Sequence, residues 1–186
     1  AVDRLGSKMS DRLLAVPETK TIRSGLLSES IGYYRDFIAY ASKRNGLELE
    51  AAQAHAHLAA LHERAGDDDQ ARDHYQIGIE QLGLLSQEDA RLEEAICLSK
   101  LALLQHRQGE LAQASLSFET AIAKFEPLGD LDSAAIPRAS NLANTAMLNQ
   151  ALGREDLACE HFEPALSLLP DESGDDELLA TKNKVT

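Results

Sequence analysis

The sequence predicts an all-α fold built from repeated antiparallel helix pairs, and three observations carry the prediction. One pattern occurs three times: aligned on Gly66, Gly109 and Gly153, each copy has a small residue five positions on (Ala71, Ala114, Ala158) and an aromatic residue four further (Tyr75, Phe118, Phe162). Three beyond each aromatic comes Gly78, Ala121 or Ala165, and seven before each glycine lies Ala59, Ala102 or Ala146. Small residues at fixed helical positions let two backbones cross closely, and an aromatic one turn on fills the wedge beside the crossing. The composition points the same way, with no Trp, five Pro, 4% aromatics and abundant Leu, Ala, Glu and Gln, which favours helix over strand. Finally, Ile22, Leu26, Leu27, Ile31, Tyr34, Phe37 and Ile38 recur at helical spacing.

Element by element, residues 1–16 read as a helix with Leu5, Met9, Leu13 and Leu14 on one side, closed by Pro17. Residues 18–46 form a second, longer helix that stops at Asn45-Gly46. Gly25 falls inside it at a cost of about 1 kcal/mol relative to Ala, and Ser30 with Tyr34 repeats the small–aromatic pair. Helices follow at 47–65, 68–85, 87–108, 110–126, 132–152 and 154–168. Each aligned glycine then supplies a tight turn between the first (A) and second (B) helix of a pair. Asp67, Asp68 and Asp69 suit a helix N-terminus, and Ser86 with Asp89 predicts a capping box. Pro127 and Pro170 close two helices, while Pro137 either kinks the helix it falls in or marks its start. The segments group as a divergent N-terminal pair (1–46), three helix pairs (47–170) and an acidic tail (171–186). The tail has no face to bury and is expected to be disordered.

Charge excludes some partners. Lys and Arg total 18 against 31 acids, a net charge of -13, which opposes general affinity for nucleic acid or an anionic membrane surface. No apolar run approaches the ~20 residues of a membrane span, and no signal-peptide pattern opens the sequence, so a soluble chain is expected. Cys97 and Cys159 lie among apolar and small residues without a second Cys at metal-ligand spacing. Both are expected to be free, buried and reduced, which suits a cytoplasmic setting, although a parent protein could be membrane-anchored.

Catalytic and metal chemistry find little support. His55, His57 and His62 share a helix, but none of their pairs is four apart, so no two rings converge as in His-Glu-x-x-His. His55 and His62 fall where a partner helix packs, and His74, His106 and His161 are scattered. Glu93-Glu94 and Asp175-Asp176 are adjacent in sequence and cannot flank one substrate bond from a common helix face, and Ser117 and Ser167 lack a defensible His-Asp arrangement. The reading is of a non-enzyme with no cofactor and no metal.

The small–aromatic–small pattern, Leu58-Ala59 and Leu101-Ala102 in A helices, and Pro170 twelve after Ala158 together resemble the tetratricopeptide repeat (TPR). The aligned glycines are 43 and 44 residues apart, against a consensus period of about 34, so each helix gains about a turn. That resembles the long-helix kinesin-light-chain type, as does Asn144-Thr145-Ala146. His55, Leu98 and Leu142 stand where the consensus has Trp. The resemblance implies a right-handed superhelical stack, an α-solenoid of about eight helices. The N-terminal "DRLLAVPETKTIRSGLLSESIGYYRDFIAY" is similar to the segment that opens the C-terminal repeat region of planctomycete-type bacterial serine/threonine protein kinases. No Gly-rich loop, His-Arg-Asp or Asp-Phe-Gly is present, so that likeness implies a regulatory region whose enzyme lies elsewhere.

In such a stack the A helices line a concave wall that takes a peptide or protein partner. Counting back from each glycine, the wall would present Gln53, His57, Ala60 and Arg64, then Ser99, Lys100, Leu103 and Arg107, then Ser140, Asn144 and Met147. Arg64, Lys100 and Arg107 suit an acidic or phosphorylated segment, and Asn144 suits a peptide backbone. The alternative is an array that associates with itself or spaces domains.

Overall fold

The computed structural model describes residues 20–129 and 131–169. The expected helix at 1–16, the closing Pro170 and the tail lie outside the described residues. The chain divides into two compact units, Ala1–Gln81 and Leu82–Thr186.

The first unit contains α1 (Lys20–Ala41), α2 (Glu48–Ala65) and α3 (Asp68–Gly83), whose last turn crosses the boundary. α1 packs against α2. It stops short of the expected Asn45: Arg44 N–H bonds back to Ala41 O at 3.0 Å, and the Arg44 guanidinium lies 4.0 Å over the Tyr40 ring. Gly46 takes a left-handed φ of 88° and donates its N–H to the Glu48 carboxylate at 2.9 Å, which holds that carboxyl below its usual range. Where α2 and α3 meet, the small residues act as predicted. A Cβ on Gly78 would sit 3.5 Å from Ala52 O and 3.6 Å from Ala56 N, so the two backbones nearly touch. Ala59, Ala71 and Tyr75 are buried beside them.

The second unit contains α4 (Glu88–Arg107), α5 (Leu111–Phe125), a 3-10 turn (Glu126–Leu128), α6 (Asp132–Ala151) and α7 (Glu155–Ser167). Each helix packs on the next, and α4 also touches α6. Ala102, Ala114 and Phe118 form one cluster with Leu148, while Leu142, Ala143 and Ala165 form another. Phe162, the third repeat's aromatic, is only half-buried.

The turn inside each pair is one motif used three times. After α2, Gly66 N–H bonds to Glu63 O at 3.0 Å and Asp67 N–H to His62 O at 2.9 Å. Gly109 and Glu110 repeat this onto His106 O and Gln105 O, and Gly153 and Arg154 onto Gln150 O and Asn149 O. This paired closure needs φ > 0 at its first residue, and the three glycines have φ of 80°, 79° and 72°.

Four sequence readings change. The Ser86–Asp89 capping box does not form, because α4 starts at Glu88 and Ser86 lies one residue outside the N-cap, Gln87. Pro137 does not start its helix: α6 begins five residues earlier and runs through it, and Pro164 is likewise inside α7. Pro127 falls in the 3-10 turn just after α5 rather than ending the helix itself. Cys97 is buried as expected but Cys159 is exposed. On α7 the buried residues are Ala158 and Ala165, a narrow stripe, and the next residue along turns about 100° away from it. No described helix is long and apolar enough to cross a membrane.

Candidate docking surface

Repeat-equivalent positions fall into registers when counted from the glycines: His57, Lys100 and Asn144 share one, Ala60, Leu103 and Met147 the next, and Arg64 and Arg107 another. Each unit carries part of this set.

In the first unit, α2 buries Ala52, Ala54, His55, Leu58, Ala59 and His62. The other face carries half-buried Gln53 and exposed His57, Ala60 and Arg64. The His57 ring lies 5.3 Å from that of Tyr34 on α1, so α1 packs beside this face of α2. His55 and His62, expected to pack, do so.

In the second unit, Lys100, Leu103 and Arg107 follow at spacings of three and four along α4, which places them in one stripe. Lys100 and Arg107 are exposed and Leu103 is half-buried. On α6, Met147 is exposed, Ser140 is half-buried, and Asn144 is buried at 9% exposure. Ser99 is also 9% exposed, and its hydroxyl lies 2.9 Å from Ala95 O and 2.8 Å from Asn141 Oδ1. It therefore belongs to the contact between α4 and α6. The register shows why: Ser99 aligns with Ala56 and Ala143, one residue off the exposed stripe.

Sequence reasoning missed Asn141. It is 1% exposed; it accepts at Oδ1 from Ser99 on α4 and donates from Nδ2 to Phe118 O on α5 at 3.3 Å, so one side chain ties three helices together. Its place in the register, with Ala54 and Cys97, is a packing position, and an amide there was the available signal. Two further polar links hold α4 to α5. Buried Glu94 meets Lys124 Nζ at 2.6 Å, and the Ser117 hydroxyl donates to Gln105 Oε1 at 2.8 Å. These bonds fix the helix whose outer stripe carries Lys100 and Arg107.

Burial, reinforced by Glu93 and Glu94, pushes the Cys97 thiol up to about 12, so it stays protonated and unreactive near neutral pH. Among the described residues, no group of three or more His, Cys, Asp or Glu is placed to hold a metal ion.

Solved structures with the same arrangement include BtubC (BKLC) from P. vanneervenii, with a TM-score of 0.67 and 19% identity over 100% of this chain and 82% of that one. A kinesin light chain assignment from P. anserina with nearly identical TPR-like repeats gives 0.64 and 15% identity over 98% and 82%. The N-terminal domain of stress-induced protein-1 from C. elegans gives 0.54 and 19% over 77% and 100%. The chain has the TPR-like helical-repeat fold. No protein-family model and no curated protein matches the sequence. The TPR-like fold explains the shared turn and the alanine registers, since each repeat must present the same small residues to its own partner helix.

Proposed function

We propose that this TPR-like chain is a non-catalytic docking module that holds a peptide or protein on its A-helix face. TPR-like folds generally mediate protein–protein interaction, and the observation that carries the reading here is the α4 stripe. Lys100 and Arg107 are exposed on either side of half-buried Leu103, in a chain with a net charge of -13. Two cations beside an apolar contact suit an acidic or phosphorylated segment with one apolar anchor, attracted over a screening length of about 8 Å in physiological salt. Met147 on α6, in the same unit, offers a second apolar contact. The likeness of the N-terminal segment to the start of kinase-linked repeat regions supports a place in the regulatory part of a larger, intracellular signalling kinase.

The test is an array of acidic peptides with and without phosphorylation, probed with the full chain and with a Lys100→Glu/Arg107→Glu variant. Wild-type capture of a subset, lost tenfold or more in a variant of unchanged helicity, supports the reading. Equal capture by both proteins overturns it. Self-association is the second reading, favoured by Leu84 and Leu116, which are 87% and 66% exposed. Sedimentation to a stable dimer weakened by Leu116→Glu would support it.

A further inference from the structure

Three histidines meet between α2 and α3 of the first unit, and packing alone does not require ionisable rings there. His55 Nδ1 and His74 Nδ1 are 3.0 Å apart. The His62 ring stacks on that of His74 with centroids 5.5 Å apart. His62 Nδ1 faces Asp67 Oδ2 at 3.3 Å, in the turn after α2, while its Nε2 is buried with no hydrogen-bond partner. The charged groups that act on His74 are His62 from α2, Arg35 from α1 and Asp73 on α3 itself. His55 is acted on by His74.

A contact of 3.0 Å between two ring nitrogens requires one to donate an N–H and the other to accept it. The accepting ring is then the Nε2–H tautomer. One extra proton can enter the donor ring at its far nitrogen and leave the contact intact. A second must go onto the accepting Nδ1, and two N–H groups would then face each other at 3.0 Å. The folded pair therefore holds at most one extra proton, whereas in an opened pair both rings take one below their ordinary value of about 6.5. On His74 that extra proton is itself disfavoured by burial, then by His62 and Arg35, with Asp73 opposing.

We propose that the His55–His74 contact makes the α2–α3 helix pair an acid-sensitive element that opens as pH falls below neutrality, while the second unit stays folded. The sign follows from proton counting. The folded state binds fewer protons than the opened one, so stability is full above pH 6.5 and falls with pH by about tenfold in the closing equilibrium per pH unit for each proton withheld. Burial pushes His55 down to about 4, with His74 adding to the effect, and this marks the lower end of the window. α2 also carries His57 and Arg64, so opening would dismantle that part of the candidate wall, a consequence that rests on the docking reading.

The experiment is residue-resolved hydrogen exchange on the full chain between pH 7.5 and 5, corrected for intrinsic exchange, with the second unit as internal reference. The expected result is that protection in α2 and α3 falls about tenfold per pH unit below pH 6, while α4–α6 change less than threefold. Nitrogen NMR of the imidazoles should show one Nδ1–H and one Nε2–H ring in His55 and His74, both titrating below 6.5. A His74→Phe variant, which keeps a ring at the position, should reduce the slope by at least half. Parallel loss in both units, no loss, or two rings titrating freely near 6.5 would overturn the proposal. So would equimolar zinc bound by both rings at neutral pH, which would make the pair a metal site. These readouts follow the fold and the rings directly, so they fail independently of the docking reading.

Discussion

Between α2 and α3 in the first unit, the buried polar groups are imidazoles and a phenol: His55 against His74, His62 stacked on His74, and Tyr75 donating to Glu63 Oε2 at 2.6 Å. At the corresponding level of the second unit they are chiefly amides and hydroxyls, with Asn141 linked to Ser99 and Phe118 O and Gln105 linked to Ser117. Both regions use the same buried alanines and the same glycine turn. The difference lies in whether the buried bonds can change protonation. An amide–hydroxyl bond keeps its strength from pH 5 to 8, whereas a histidine contact is neutral only in part of that range. One repeat frame can thus carry amide–hydroxyl bonds in one unit and a histidine contact at the matching level of another.

The largest effect that would break this comparison comes from what the units share. Ala102→Arg places a charge at a fully buried position between α4 and α5 and should cost about 3–5 kcal/mol, enough to abolish cooperative melting of the second unit. A melting curve like the wild type's would show that Ala102 is not a contact position. Asn141→Leu comes next, because it removes two bonds between helices, the one from Ser99 and the one to the Phe118 carbonyl, while Ser99 keeps Ala95 O and Phe118 O keeps its helical N–H. It should cost about 1–3 kcal/mol, with the same loss at pH 7.5 and pH 5.5; a loss that varies strongly with pH would erase the contrast with the first unit. Gly109→Ala forces a side chain into the left-handed region, at a cost of about 1–2 kcal/mol, measurable by denaturant titration and matched by Gly66→Ala if the turns are equivalent. Tyr75→Phe removes the phenol–carboxylate bond at a cost of about 1 kcal/mol, read as a shift in exchange protection confined to α2 and α3. The smallest effect belongs to Lys100→Glu with Arg107→Glu, two exposed changes that should move stability by no more than about 0.5 kcal/mol; a larger drop would place those residues in packing rather than on a docking stripe.

Much of the fold was legible because it repeats. A small residue at a fixed distance from a glycine is weak evidence once and strong evidence three times, and Ala59, Ala102 and Ala146 are all fully buried. The same register, applied strictly, would have moved Ser99 off the exposed stripe and onto the packing face with Ala143. Cys159 and Phe162 show the limit, since neighbours in sequence do not reveal how narrow a helix's buried stripe is. Nor does sequence reveal which residue across a helix pair satisfies a buried polar atom, which is why Asn141 went unnoticed.

The sequence by itself determined the helix pairs, their glycine turns and the alanine contacts, because helical period, left-handed φ and backbone approach are local demands that leave residue-type signatures. Only the tertiary structure decided that His55 and His74, nineteen residues apart, share a proton site and that Asn141 joins three helices. Those are meetings of side chains across a packed interface. A shift of a single ångström there separates a hydrogen bond from a mere neighbour, and no spacing along the chain encodes that distance.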